Sequence, residues 1–187
     1  MAIEEPQYKV ESKTDHYEIR NYAEVIVAET LVDSNFEDAG NQAFRILAGY
    51  IFGGNTAKTK IEMTAPVTQK VASEKIEMTA PVSQVKAEGG YLVQFTMPKK
   101  FSLESLPTPN DPRVKLRQVP ARRVAVYTYS GSWSEGRYQE KLKDFQTRLA
   151  EAKIKTDGEP VLARYNSPFQ LWFLRRNEIW LALAKTE

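Results

Sequence analysis

The chain has 187 residues with balanced charge, 26 Lys and Arg against 24 Asp and Glu, and it contains no cysteine. It therefore has neither disulfides nor thiolate metal ligands, and its one histidine, His16, excludes a site that needs two imidazoles. The charges are interspersed, which is typical of a solvated surface and not of a nucleic-acid interface. The amino terminus lacks a signal-peptide pattern, and no segment approaches the ~18 apolar residues of a membrane span. We expect a cytoplasmic protein.

Two β-rich segments come first in the chain. Residues 8–20 and 24–30 are rich in β-branched and aromatic side chains, and the short segment between them predicts a hairpin. Along the first strand, His16 shares a face with Glu18 and Arg20. This pattern predicts an exposed strand histidine and not a ligand.

A helix is predicted over residues 35–52, with Asp33 or Ser34 as its cap. Its apolar residues span about 160° of the helix surface, whereas a core-facing helix needs only about 100°. The excess lies at the edge that carries Phe44 and Ile51. That edge is either covered by the sheet or exposed to a ligand.

The octapeptide Lys-Ile-Glu-Met-Thr-Ala-Pro-Val occurs twice, at residues 60–67 and 75–82. Apolar and polar residues alternate in each copy, which predicts two strands joined as a hairpin, with the prolines at an edge, a bulge or a strand end. The repeat either presents Ile and Met to the core or lines a pocket with Met63 and Met78. Methionine suits a pocket because it is an adaptable apolar surface and a possible soft ligand.

The second half repeats the plan of the first after a strand over 91–97 and a proline-rich connector over 106–112. Its predicted elements are strands over 114–117 and 124–129, a helix from a capping box of Ser132 and Glu135 to Lys153, and strands over 161–165 and 178–183. This order predicts an α+β fold in one domain over 8–184, a distorted antiparallel β-barrel with two flanking helices. Its two ββαββ-like halves would be pseudo-repeats over about 8–98 and 113–184.

Catalytic motifs are missing from the sequence, because no phosphate-binding glycine loop and no Gly-x-Ser-x-Gly elbow occurs. A binding protein is therefore favoured over an enzyme. The apolar run over 169–174 is followed by Arg175 and Arg176. It either caps the mouth of the barrel or forms a wall for a flat apolar ligand, with guanidinium groups placed for the ligand's carboxylates.

Five segments of the chain, in order, resemble the SOUL haem-binding protein family: Tyr17-Glu18-Ile19-Arg20, the doubled octapeptide, Pro109-Asn110-Asp111-Pro112, Trp133-Ser134-Glu135, and Arg175-Arg176-Asn177-Glu178-Ile179-Trp180. The doubled octapeptide resembles bacterial members. The resemblance implies the same distorted barrel and the binding of haem or a related tetrapyrrole by a monomeric carrier, buffer or sensor. The fold is also similar to that of bacterial effector-binding domains for amphipathic small molecules, and iron removal from a tetrapyrrole and protein interaction are further alternatives.

The resemblance also implies which residues form the site. Some family members have a histidine after Tyr-Glu-Ile-Arg as a candidate axial ligand, but Asn21 stands there in this chain. Other members hold haem in an apolar groove near the first helix and the last hairpin loop. The residues implied are Phe44, Leu47 and Ile51 as the floor, Phe169 and Trp172 as the lid, Arg175 or Arg176 at the propionates, Met63 and Met78 as further contacts, and Tyr22 or His16 as weak metal ligands.

Overall fold

The computed structural model describes residues 3–58, 72–167 and 169–184. Its strands are β1 (Tyr8–Lys13), β2 (Glu18–Tyr22), β3 (Val25–Val32), β4 (Asn55–Thr56), β5 (Val82–Ala87), β6 (Gly90–Thr96), β7 (Thr108–Pro109), β8 (Lys115–Val119), β9 (Arg122–Tyr129), β10 (Thr156–Arg164) and β11 (Asn177–Leu183). Its helices are α1 (Phe36–Ile51) and α2 (Glu135–Glu151), with a short 3-10 helix at Trp172–Leu174. No helix in the described ranges is long and apolar enough to cross a membrane.

Nine strands form one antiparallel sheet in the order β1-β2-β9-β11-β10-β5-β6-β3-β8, and β4 pairs separately with β7 inside the predicted connector. The sheet curls into a half-barrel. Leu47 of α1 and Phe145 of α2 belong to two apolar clusters on the same face of the sheet. A third cluster around Tyr22 and Trp180 lies on the opposite face. The α+β class with two flanking helices is confirmed.

The hairpin predicted across residues 21–23 is wrong. β2 pairs with β1 and β9, whereas β3 pairs with β6 and β8. The predicted first strand is instead the β1–β2 hairpin, because the Thr14 hydroxyl accepts hydrogen bonds from the backbone N–H groups of His16 at 3.2 Å and Tyr17 at 3.0 Å and so closes a turn. His16 is exposed, as predicted, but it lies in this turn and not on a strand.

Helix α1 is capped by Asn35 and not by Asp33 or Ser34. The Asn35 Oδ1 atom accepts the backbone N–H of Asp38 at 2.9 Å, which satisfies one of the free donors of the first turn. The apolar side of the helix packs on β3 and β6. The helix therefore lies on the half of the sheet that contains β3 and β6.

The predicted capping box of α2 does not form. Ser134 is the cap residue and makes no side-chain cap bond, while Glu37 of α1 accepts the backbone N–H of Glu135 at 3.3 Å. A carboxylate of the other helix thus replaces the local cap, which a sequence pattern cannot predict. The buried residues of α2, which are Tyr138, Leu142, Phe145 and Leu149, form one apolar stripe along the helix.

The first octapeptide, with Met63, lies outside the described residues. In the second copy only Val82 belongs to a strand, so the predicted strand over 75–82 is wrong. Pro81 has no N–H for a ladder, and the N–H groups of Ile76 and Ala80 bind the carbonyls of Ile51 at 2.8 Å and Glu4 at 2.9 Å. This segment is therefore held by α1 and by the amino-terminal residues.

Candidate functional site

The most exposed apolar surface in the described part of the chain is the loop between β10 and β11. We call residues 169–174 the apolar loop. Phe169 is 94% exposed, and the other large apolar side chains of the loop, all more than half exposed, are Leu171, Trp172, Phe173 and Leu174. Five exposed apolar side chains thus occur within six residues of one loop, and such a concentration of apolar surface is typical of a binding site.

Two guanidinium groups lie beside this loop on a single indole ring. Arg175 stacks on Trp133 with 4.2 Å from its Cζ atom to the ring centroid, and its Nε donates to the Gln170 carbonyl at 2.9 Å. The Cζ atom of Arg164 lies 5.2 Å from the same centroid. We call Trp133, Arg164 and Arg175 the Trp133 cluster. It places positive charge at the edge of the apolar loop.

Arg164 is the buried member of this cluster, with only 9% of its surface exposed. Its Nη2 atom donates to Gln84 at 3.0 Å, and no hydrogen-bond partner for its Nε lies among the described residues. Burial lowers the pKa of Arg164 to about 10, because the charged form loses hydration. The sequence analysis did not identify Arg164 as a site residue. Its position at the end of an apolar strand is the feature of the sequence that could have indicated it.

Helix α1 reaches the Trp133 cluster through Gly40. A β-carbon at Gly40 would lie 2.5 Å from Nη1 of Arg164, so the glycine is what allows the guanidinium to lie against the helix. Phe44 follows one turn later, is 37% exposed and packs on Phe95 with 5.5 Å between ring centroids. Phe44 thus lies on the same helix as the contact with the Trp133 cluster, and a shared site for Phe44 and the carboxyl-terminal loop stays a prediction.

The other two predicted floor residues are placed differently. Leu47 and Ile51 are 0% and 1% exposed and belong to the apolar core between α1 and the sheet. The wide apolar arc of the helix is covered by the sheet on this side, so neither side chain presents surface to a ligand. Met78 is half-buried against the same core.

Arg176 faces away from the apolar loop. Its guanidinium donates to Glu178 at 2.8 Å and to Glu5 at 3.1 Å and lies 3.8 Å over the ring of Tyr165. Of the two arginines predicted as propionate partners, Arg175 is therefore the one that lies beside the apolar loop. Side chains in extended chain alternate between the two faces of a sheet. Arg176 precedes Glu178 by two residues and therefore lies with it on the face opposite the helices, whereas Arg175 lies on the other face.

Comparison with known proteins decides the family. The sequence profile described as "SOUL heme-binding protein" matches residues 3–182. The chain belongs to the SOUL family. It is 31% identical to "Heme-binding protein 2" of Mus musculus and 30% identical to that of Homo sapiens, in each case over 186 residues that cover 96% of this chain and 86% of the relative.

Solved structures show how widely the SOUL fold is shared. The C-terminal domain of EcmrR superposes with a TM-score of 0.62 at 11% identity, covering 96% of this chain and 99% of that domain. A protein described as a hydrolase from Listeria innocua superposes with a TM-score of 0.58 at 10% identity, covering 93% and 94%. At these identities the likeness concerns the fold alone.

The described residues of this SOUL chain offer little for the coordination of a metal ion. Within the described ranges, no group of three or more His, Cys, Asp and Glu could hold a metal ion. Tyr22 is 5% exposed, its hydroxyl accepts a hydrogen bond from Arg20 at 3.0 Å, and burial raises its pKa to about 12. Its phenol therefore stays protonated near neutral pH and is a poor iron ligand.

Proposed function

We propose that this chain binds haem or a related tetrapyrrole at the apolar loop and acts as a monomeric carrier, buffer or sensor. The observation that carries the proposal is the position of Arg175, which directly follows the five exposed apolar side chains of the loop and donates to the carbonyl of Gln170 within it. A tetrapyrrole such as haem combines two apolar faces with carboxylates at one edge. The loop and the cluster offer the matching pair of surfaces.

The apolar loop would supply most of the binding free energy. Removing apolar surface from water contributes roughly 25 cal/mol per Å², and an aromatic side chain that becomes fully buried contributes about 1.5–3 kcal/mol. Phe44 would extend this surface onto α1. Arg175 is held in place by its stack on Trp133, so its planar guanidinium suits a propionate carboxylate.

One buried carboxylate of β11 can be excluded as a general acid. Glu178 is the fully buried carboxylate of the neighbouring strand. Burial alone would raise its pKa, but the charge of Arg20 and hydrogen bonds from Trp180, Tyr165 and Arg176 outweigh burial and lower the pKa of Glu178. It remains ionised near neutral pH and cannot deliver a proton to a bound ring.

Titration with haemin tests this function, with His16→Ala run beside the unaltered chain. We expect a saturable Soret shift at one-to-one stoichiometry for both, with equal affinity, because His16 lies in the exposed β1–β2 turn. Absence of a saturable shift would contradict tetrapyrrole binding and leave protein interaction as the role of the loop. Loss of the shift in His16→Ala alone would show that the site lies elsewhere, and conversion of the ligand over time would show an enzyme.

A further inference from the structure

Arg164, the buried member of the Trp133 cluster, carries a charge for which the described part of the chain supplies no carboxylate. Its Nη2 atom donates to the amide oxygen of Gln84 at 3.0 Å, and its Nε has no hydrogen-bond partner in the described ranges. Burial lowers the pKa of Arg164, and the influence that opposes burial comes from the Tyr129 phenol and not from a carboxylate. A buried charge without a counter-ion lowers the stability of a fold, so packing alone does not explain this arginine.

The surroundings hold the Arg164 guanidinium in one position. Its partner Gln84 is anchored in turn, because the Gln84 Nε2 atom donates to the Phe36 carbonyl at 2.9 Å. On the other side, Gly40 leaves the space in which the guanidinium lies against α1. The positive charge is therefore fixed relative to the helix and the sheet.

Trp133 is held on the sheet by Asn177. The indole Nε1 donates to the Asn177 Oδ1 atom at 2.8 Å, and the Asn177 Nδ2 donates to the Gly131 carbonyl at 3.2 Å. Asn177 is 0% exposed, and it lies between Tyr129 and Arg164 in the register of β9, β11 and β10. The indole that contacts both guanidinium groups of the cluster therefore has a fixed position of its own.

Arg164 lies close enough to Arg175 to act on whatever binds there. The two Cζ atoms lie 5.2 and 4.2 Å from one ring centroid, so they are at most about 10 Å apart. At such a distance in a partly buried setting, a unit charge changes the binding of another charge by about three- to tenfold. The carboxylate of a ligand at Arg175 therefore senses the charge of Arg164 without touching it.

The other charged groups around Trp133 leave this effect in place. Arg137, in the first turn of α2, is a third guanidinium group. Glu37 and Glu135 are carboxylates at the same end of α2, where Glu37 accepts the N–H of Glu135 at 3.3 Å. Three guanidinium groups thus stand against two carboxylates, and in the described ranges neither carboxylate forms an ion pair with Arg164.

We propose that Arg164 sets the preference of the site for ligands that carry carboxylates, and that it does so from behind Trp133 without touching the ligand. This inference rests on the proposed tetrapyrrole function. Arg164 is a positioning residue: it packs against the indole on which Arg175 stacks, and it adds positive potential where a carboxylate binds. The substrate class is therefore a flat apolar molecule with free carboxylates, and a neutral ester of the same molecule is disfavoured.

The test compares haemin with haemin dimethyl ester, which has the same ring and no free carboxylate, by Soret titration of the unaltered chain and of Arg164→Met. Methionine keeps an unbranched side chain and removes the charge. We expect Arg164→Met to weaken haemin binding by about three- to tenfold and to leave binding of the ester unchanged, because only haemin carries the charges on which Arg164 acts. Equal weakening for both ligands would show that Arg164 only supports the shape of the site and would overturn the inference.

A second variant guards against loss of folding, since Arg164→Met alone leaves the amide oxygen of Gln84 without its partner. The double variant Gln84→Leu, Arg164→Met removes both members of this hydrogen bond and should show the same selective loss for haemin. Arg45→Met is the matched control, because Arg45 is an exposed arginine of α1. It should change the affinity for neither ligand, and a loss for haemin as large as that in Arg164→Met would contradict the assignment.

The unaltered chain separates this inference from the proposed function. Saturable binding of both ligands with equal affinity would leave tetrapyrrole binding in place and overturn the carboxylate preference. Saturable binding of neither ligand would contradict tetrapyrrole binding itself, and the role of Arg164 would fall with it.

Discussion

Replacing Trp172 by alanine is expected to weaken haemin binding by about tenfold or more. Trp172 is 59% exposed and packs edge-on against Phe173, with 5.6 Å between ring centroids. An aromatic face that becomes buried by a ligand contributes about 1.5–3 kcal/mol, and each 1.4 kcal/mol is a factor of ten in the dissociation constant. Haemin titration followed by Soret absorbance gives the two dissociation constants.

Phe52→Ala is the matched control for this prediction, since Phe52 is also an aromatic residue with 59% exposure. It follows α1 and lies roughly 18 Å further along the helix axis than Gly40, at about 1.5 Å per residue. Arg45→Ala serves as a second control on the exposed side of the same helix. We expect both controls to bind haemin as the unaltered chain does. Equal losses in Trp172→Ala and the controls would remove the basis for placing the ligand at the loop.

Replacing Glu178 by glutamine is expected to lower the free energy of unfolding by about 3 kcal/mol, since removal of one partner leaves buried charges uncompensated. Glu178 is fully buried, and Arg20 is 4% exposed. The carboxylate accepts hydrogen bonds from Arg20 at 3.1 Å, Arg176 at 2.8 Å and the Tyr165 hydroxyl at 2.7 Å. Urea unfolding measures the loss. Glu140→Gln, on the exposed side of α2, is the control and should have little effect.

The pH dependence of stability gives this prediction a second readout. The pKa of Glu178 in the folded chain is lowered below its ordinary value of 4.5. Its contribution to stability is therefore fully present above pH 4.5 and is lost as the pH falls through the lowered pKa. The stability of the Glu178→Gln variant should therefore fall less steeply with decreasing pH in this range than that of the unaltered chain. A variant that is as stable as the unaltered chain at pH 7 and loses stability equally at low pH would contradict the role of Glu178 as the shared acceptor of Arg20, Arg176 and Tyr165.

Periodicity predicted the elements of the fold well where each element is long and amphipathic. The stripe of Tyr138, Leu142, Phe145 and Leu149 is enough to define α2 without knowledge of its neighbours. Strand pairing was harder, because β2 lies beside β9 and β3 beside β8, pairs that are distant in the chain. The division into two pseudo-repeats stays a prediction.

The candidate site was predictable only in part. Exposed apolar residues on a loop, such as Phe169 and Trp172, stand out in a sequence because no periodicity explains them. The width of the apolar arc on α1 could not show that Leu47 is covered by the sheet and Phe44 is not. The Trp133 cluster could not be predicted from the sequence, because Trp133, Arg164 and Arg175 come from three separate segments of the chain.

The most direct test of the tetrapyrrole site is a map of the amide signals that ferric haemin broadens in the ¹H–¹⁵N NMR spectrum. Paramagnetic iron broadens nearby amides, so the experiment reports location without altering any residue. We expect broadening at residues 169–176 and at Phe44, with signals of the β1–β2 turn and of residues 97–104 unchanged. Broadening centred on His16 or on residues 97–104, with sharp signals from the apolar loop, would contradict the account.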